Sequence, residues 1–525
     1  MTVVHDRVAL IGSERKMMKG QSLIGSADSH EKLTVTVQVR RRPGAVEAPD
    51  LAQLGKQRPS RRSAVDRKAV LSALGADPKD LEQVKQFAQQ FKLKAEQPDP
   101  AQRTIRLTGT VDQFNQAFGV QLKQYREGER TFRSRQGSIF VPRQLHGVIE
   151  RVSGLTNRPL AQPHHKLIPR APSGVTAQQV AQLYDFPQGV DCSGQTIALI
   201  ELGGGYSQQD LDNYFNSAGI PSPQVMAIGV DGAANSYGDP GGADGEVELD
   251  IEIAGAIAQG ATIAVYFAPN TEQGFIDAVL AAATSTQHPP TCISISWGAP
   301  EDVGWTASGR NGMDFACYVA AALGITVLAA SGDNGSNDGV YDGMAHCDFP
   351  ASDPYVLSCG GTSLQLDSKG MLKNEVVWNN GNGWATGGGV SDEFLLPSWQ
   401  SADEVPRQVD SGQQGRGVPD IAGNADAMRS PYEVVVDGAW MSVGGTSTVA
   451  PLYAGLLAVI AAGSGAKPGF LSPYLYQLAS QPNLYFDVDS GSNTVQPAPG
   501  YSAGKGWDAC SGIGRINGNL LLQQI

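Results

Sequence analysis

Four short apolar runs constrain this chain more than anything else in it. Thr196–Glu201 (TIALIE), Ala261–Phe267 (ATIAVYF), Thr291–Ser296 (TCISIS) and Ile325–Ala330 (ITVLAA) are continuous rather than alternating, as strands covered on both faces must be. Between them lie Gly/Ala-rich stretches with helical spacing, Glu248–Ala258 and Met313–Leu323. Strands alternating with helices predict an α/β fold with a doubly wound, mostly parallel sheet. Active sites in such sheets gather at the carboxyl ends of the strands. No internal repeat is evident.

The first third of the chain reads differently. Leu33–Val39 alternates as a strand, Asp80–Leu93 has helical spacing at Val84, Phe87 and Phe91, Thr104–Gly109 reads as a strand and Val111–Phe118 as a short helix. Residues 131–141 and 148–155 supply further strand. The order predicts an α+β, ferredoxin-like unit, an antiparallel sheet backed by two helices. Arg40, Arg41 and Arg42 close the first strand, where charges guard an exposed edge. The stretch RPLAQPHHKLIPRAP, residues 158–172, is rich in Pro and cations and reads as an exposed linker that is readily cut. The expected division is 1–157, a linker over 158–172, and 173–525.

Charge separates the same parts. Over residues 1–170, 30 Lys and Arg face 16 Asp and Glu, a net of +14; residues 171–525 carry 9 against 36, a net of −27. Two parts of opposite sign suit each other as partners in cis. Nucleic acid is a poor alternative partner, since no aromatic interleaving or zinc spacing accompanies the basic residues. The N-terminal apolar run, Val8–Gly12, spans five residues, too short for a secretory signal. No uninterrupted apolar stretch has membrane-spanning length. The six cysteines lack C-x-x-C spacing and are expected as buried free thiols.

The chemistry centres on GGTSTVAP, Gly444–Pro451, in which Ser447 precedes an apolar small-residue helix and has the setting of a nucleophile. Residues 171–525 contain two histidines, His288 and His346, and neither sits in a context that presents an imidazole to Ser447. A carboxylate dyad is the other possible base. In DGEVELDIEIAGAIAQG, Glu246 and Asp250 are spaced i, i+4, one helical face about 6 Å along the axis. Val247, Ile251 and Ala254 make the adjoining apolar stripe. Such a pair relays a proton from Ser447 best in acid, where an imidazole is protonated and useless as a base.

Together with IALIELGGGY (197–206), AVYFAPNT (264–271), SISWG (294–298), ASGDNGS (330–336), GGTSTVAPL (444–452) and GKGWDACSGIG (504–514), these residues resemble the sedolisins, or serine-carboxyl peptidases. The resemblance covers nearly the whole chain and implies a subtilisin-like catalytic domain behind a propeptide that inhibits it and aids its folding. It implies Ser447 as nucleophile, Glu246 as general base and Asp250 as its orienting partner. Asp333 takes the oxyanion role with its carboxyl protonated. Glu201 and Trp297 extend the hydrogen-bond chain, and Asp348 lies by the substrate cleft. A structural Ca²⁺ is implied at the side chains of Asp487 and Asp508 and the carbonyls of Val488, Gly504 and Gly506. The implied activity is an acid-acting endopeptidase, made as a zymogen, self-activated at low pH by cleavage near 166–171, extracellular and monomeric, that acts on protein or peptide substrates. A tripeptidyl exopeptidase is the alternative within the family, and a catalytically silent scaffold the alternative outside it.

Overall fold

The structure is a computed structural model that describes residues 6–46, 49–170, 174–238 and 243–525. Its N-terminal unit contains strand β1 (Lys32–Val39), helix α1 (Pro78–Gln90), β2 (Lys94–Ala95), β3 (Thr104–Thr110), helix α2 (Val111–Phe118) and β4 (Ile149–Ser153). The sheet order is β2-β3-β1-β4, with every pair antiparallel. That is the order of a ferredoxin-like sheet. Local chemistry fixes the helices. Asp77 caps α1 by accepting from Lys79 N, with Pro78 at the first position. Thr110 and Gln113 form a capping box on α2, which Gly119 ends at φ 60°. Val35, Val37, Val84, Phe87, Leu107, Phe114 and Phe118 make the core under the sheet.

One expectation fails here. β1 lies between β3 and β4, so Arg40–Arg42 do not guard an edge. Arg40 instead pairs with Asp80 of α1 at 2.7 Å.

The linker is not a free exposed tether either. It contributes β5 (Gln162–Pro163) and β6 (Lys166–Pro169), both paired with the larger domain. Ala171 and Pro172 of the expected linker lie outside the described residues.

The larger domain is built on an eight-stranded sheet. Its strands are β7 (Thr196–Glu201), β8 (Gln224–Gly229), β9 (Thr262–Phe267), β10 (Cys292–Ile295), β12 (Thr326–Ala330), β13 (Val356–Leu366), β14 (Leu372–Val377) and β15 (Ile421–Asn424); β11 (Trp297–Pro300) follows β10 but pairs elsewhere. The order is β8-β9-β7-β10-β12-β13-β14, with β15 also on β13, and only the β13–β14 pair is antiparallel. All four runs singled out in the sequence are central, buried strands.

Helix α3 (Asp244–Ile257) crosses one face of the sheet and is buried from Asp244 through Ala256. It therefore carries Glu246, Glu248, Asp250 and Glu252 into the interior at 0% exposure. Backbone donors make this tolerable: Val435 N–H donates to Glu252, and Ser207 and Asp437 N–H donate to Glu248. Helices α4 (Glu272–Thr284) and α5 (Ala307–Ala322) pack beneath the N-terminal unit. The opposite charges meet there, in Arg15–Glu272 at 2.9 Å, Arg106–Asp231 at 2.5 Å and Arg151–Asp277 at 3.8 Å. Thr36 Oγ1 also donates to Asp277 at 2.7 Å. All six cysteines are buried and unbridged.

Candidate active site

Ser447 sits in a single 3₁₀ turn, Thr446–Thr448, between strand β17 (Ala439–Gly444), the partner of β16 (Tyr432–Val436), and helix α6 (Val449–Ser464). The segment Thr446–Ser464 is long and apolar enough to cross a membrane, but 89% of it is buried inside the domain, so its composition is that of a core helix. Gly445 holds φ 110° to make the turn. A Cβ there would lie 2.3 Å from the His164 carbonyl oxygen and 2.5 Å from Asp333 Oδ2.

Those two atoms disclose the arrangement. The linker passes through the site as an extended strand, β5 against β11 on one side of Ser447 and β6 against β17 on the other. Between them, His164 N–H donates to the Ser296 carbonyl at 3.0 Å, and Ser447 N–H donates to the His164 carbonyl at 2.9 Å. The His164–His165 peptide is thus presented to Ser447 with its oxygen on a backbone donor, as in an oxyanion hole.

Asp333 follows β12 and is fully buried. Its Oδ1 accepts from Thr446 N at 2.7 Å and Thr446 Oγ1 at 3.0 Å. Among the described residues its Oδ2 has no partner. Burial raises this carboxyl, against the pull of Lys166, His164 and Thr446.

Glu246 and Asp250 lie one turn apart on α3, both fully buried. Ser296 Oγ donates to both Asp250 oxygens at 2.9 Å. Glu201, at the end of β7, accepts from Trp297 Nε1 at 2.9 Å. Burial first, then neighbouring acids, push Glu201 and Asp250 well above the carboxylate range. Three carboxyls this close and this dry cannot all be ionised. Ser447 Oγ donates to the Ser296 carbonyl at 3.3 Å, and among the described residues no carboxylate or imidazole is hydrogen-bonded to it.

Glu246 Oε2 instead lies 2.7 Å from His165 Nδ1 of the linker. On the other side of the same bond, His164 Nε2 stands 2.9 Å from Asp348 Oδ2, beneath Gly298, with buried Asp338 beside it.

Comparison with known proteins gives the chain's family. A family model described as "Pro-kumamolisin, activation domain" matches residues 19–158. Kumamolisin of Bacillus sp. (strain MN-32) is 45% identical over 99% of this chain and 96% of its own length. The chain belongs to the sedolisin family of serine-carboxyl peptidases. Tripeptidyl-peptidase sed5 of Aspergillus fumigatus is 29% identical over 98% of this chain and 97% of its own. The solved structure of Pseudomonas sedolisin, a serine-carboxyl proteinase complexed with two molecules of pseudo-iodotyrostatin, superposes with a TM-score of 0.59 at 30% identity, covering 67% of this chain and 98% of that one. This chain is therefore a sedolisin-family peptidase with its activation domain attached, on the subtilisin-like α/β fold.

Ser447, Glu246, Asp250, Asp333, Glu201, Trp297 and Asp348 converge on one cleft, as the sequence led one to expect. His346 stays out of it, clamped between Asp302 at 2.9 Å and Asp342 at 3.1 Å. Burial works to lower that imidazole, but the two acids prevail and raise it to about 9. The sequence reading missed His164 and His165, because it sought an imidazole only beyond residue 170. It also placed the cut near 166–171, whereas the bond held at Ser447 is His164–His165.

The residues implied for calcium gather in a C-terminal loop remote from Ser447 in the sequence. Gly504 N–H donates to Asp508 Oδ2 at 3.2 Å and Gly506 N–H to Asp487 Oδ2 at 2.9 Å. Asp508 is buried, and burial raises its carboxyl although Cys510, Gly504 and Ser511 donate to it. Two carboxylates and flanking carbonyls are hard oxygen donors, which fit a calcium ion. Among the described residues no group of three or more His, Cys, Asp or Glu forms a metal cluster.

Proposed function

We propose that this peptidase is the zymogen of an acid-acting endopeptidase that uses Ser447, Glu246 and Asp250 as its triad and Asp333 as oxyanion donor. The observation that carries the reading is the linker's substrate-like course. Its backbone is gripped on both sides of one bond, with the carbonyl of that bond on Ser447 N–H.

The chemistry follows. Ser447 Oγ attacks the carbonyl carbon and its proton passes to Glu246, whose charge Asp250 helps to share. The oxyanion is met by Ser447 N–H and by the protonated Asp333 carboxyl. Glu246 then returns the proton to the departing amine, leaving an acyl-enzyme that water hydrolyses by the same steps in reverse order. Glu201 and Trp297 extend the proton-sharing chain behind Glu246. Each carboxyl works in the protonation state that acid provides, which a histidine base would not.

The endopeptidase reading is favoured over tripeptidyl release by the non-primed side. Beyond the three residues that precede the cut, Leu160 and Ala161 N–H still donate to Asn270 Oδ1 at 3.0 and 2.9 Å. A cleft that accommodates five residues there has no closed end after the third. Asp348 gives the pocket for the residue before the cut a preference for a cationic or imidazole side chain. A calcium ion bound by Asp487, Asp508 and the carbonyls of Val488, Gly504 and Gly506 supplies structural anchoring to the C-terminal loop. Acid exposes the linker to reaction as the interface carboxylates lose charge, and an enzyme of this kind is suited to work outside the cell.

The test is a pH profile of cleavage of an unfolded protein by the self-activated chain, with Ser447→Ala as control and fragments sized by mass spectrometry. Activity that peaks in acid, vanishes in the variant and yields long, mixed fragments is expected. Peak activity at neutral pH, or uniform three-residue products, would sink the respective part of the reading.

A further inference from the structure

The linker brings to Glu246 a group that the peptidase body lacks. His165 Nδ1 is held 2.7 Å from Glu246 Oε2 because the chain is pinned on both sides of it. Ser447 N–H fixes the His164 carbonyl before the ring, and Lys166–Pro169 are locked antiparallel to Met441–Gly444 after it. Gly245 makes room: a Cβ there would lie 2.4 Å from Leu167 Cδ1 and 3.5 Å from His165 Nε2.

We propose that His165 is a positioning residue in the chain's own activation, its imidazolium holding Glu246 as an anion until Glu246 takes the Ser447 proton in the first cut. The inference rests on Glu246 as the base and His164–His165 as the bond cleaved.

Glu246 is fully buried beside two further acids, Asp250 on the same helix and Glu201 at the end of β7, and those two are raised by burial first and then by their neighbours. The other charged groups around the bond make their close contacts elsewhere, although His164 also acts on Asp333 and Glu246 through space. His164 is held by Asp348, Asp348 adjoins Asp338, and Lys166 acts on Asp333. His165 alone among them sets a potential cation directly against Glu246. An imidazole takes up a proton below about pH 6.5. A cation 2.7 Å from a buried carboxyl favours its ionised form, which is the form that can act as a base. In the reaction, Ser447 gives its proton to Glu246 as Oγ bonds the His164 carbonyl carbon and the carbonyl electron pair moves to oxygen. When that pair returns, the His164–His165 C–N bond breaks and the proton passes to the departing nitrogen. The imidazole leaves with its amine, so the aid serves one turnover and is absent from the cutting of other substrates.

The experiment uses the mature peptidase with two peptides, one copying residues 160–169 and one with Gln in place of the residue that matches His165. kcat/KM is measured from pH 2.5 to 7, and products are read by mass spectrometry. An opposite charge at this range favours the carboxylate by about one pH unit or more. The acid limb for the His peptide is expected to lie lower by that amount. One unit below the Gln peptide's midpoint, the His peptide then keeps about fivefold more of its own plateau rate. Full-length His165→Gln should show the same upward move in the acid limb of self-cleavage. Superimposable profiles, or no cleavage at this bond, overturn the proposal. Glu246→Gln separates the two failures: if it still turns over, the triad reading falls, whereas if it is inactive and the peptide profiles coincide, His165 alone is excluded.

Discussion

On the proposed mechanism, Asp333→Ala removes one of two oxyanion donors at a carbonyl oxygen whose place is already visible. The oxygen of His164 accepts from Ser447 N–H at 2.9 Å, and both it and Asp333 Oδ2 border the space above Gly445. Asp333 cannot swing away, since its Oδ1 is fastened by Thr446 N and Oγ1. Losing one such donor costs about 10²–10³ in turnover, or about 2.7–4 kcal/mol of transition-state stabilisation. The cleanest assay is the full-length chain shifted from neutral to acid, because its first cut in cis is a single turnover that no substrate-binding step obscures. Each minute of half-life in the parent then becomes about two to seventeen hours. The buried Thr446 N–H also loses its acceptor, at about 1–3 kcal/mol of stability, so a thermal melt must accompany the kinetics. Asp333→Asn keeps an acceptor for Thr446 and places an N–H where Oδ2 was, and its rate should fall between the two. The reasoning is refuted if folded Asp333→Ala cleaves itself within tenfold of the parent, or if Asn is as slow as Ala.

Three further outcomes are expected. Burial, and after it Asp210, raise Glu248 to about 9 although Ser207 and Asp437 donate to it. A carboxyl raised on folding stabilises fully below its unfolded value and ceases to do so as pH climbs through the folded one, so the Ser447→Ala chain should lose melting temperature between pH 5 and 9, and Glu248→Gln should flatten that loss. Arg15, Arg106 and Arg151 of the N-terminal unit face Glu272, Asp231 and Asp277, so, with charge holding the two parts together, the separated propeptide should bind the mature domain tightly at neutral pH and more weakly near pH 4, where carboxylates protonate; equal affinity at both would count against charge-driven release. Asp508→Asn should lower the melting temperature and abolish any further fall on adding a calcium chelator, with an unchanged chelator response excluding the C-terminal loop as the ion's site.

Three of the candidate residues were legible because they lie in short local patterns. Glu246 and Asp250 are one helical turn apart, and Ser447 lies in a turn whose glycines and small residues advertise tight backbone; Asp333, between two glycines, read alone as a loop residue and was singled out only by the family resemblance. What was hidden depends on distant pairing. Arg40–Arg42 read as edge guards until Ile149–Ser153, more than a hundred residues later, turned out to cover that edge. The full burial of α3 was hidden for the same reason. Its alternating acids are tolerable only because Ser207, Val435 and Asp437, from other parts of the chain, turn their N–H groups toward them. Nor could spacing reveal that the linker is a strand of the larger domain's cleft rather than an exposed tether.

In the proposed zymogen the linker already lies across Ser447, with the His164 carbonyl on Ser447 N–H. Restraint at neutral pH would then come from protons rather than from access. Deprotonated Asp333 would set a negative charge beside the His164 oxygen, where one is about to develop, and so oppose attack. A neutral His165 ring would give Glu246 no countercharge, whereas an imidazolium 2.7 Å away would. Acid favours the protonated form of each group, and it also cancels carboxylate charge that Arg15, Arg106 and Arg151 meet at the interface. Substituting Asp333 alone therefore should not free the zymogen at neutral pH, since the interface charges and His165 would remain in their neutral-pH states; a neutral-pH burst of self-cleavage in Asp333→Asn would show that the oxyanion carboxyl by itself is the brake.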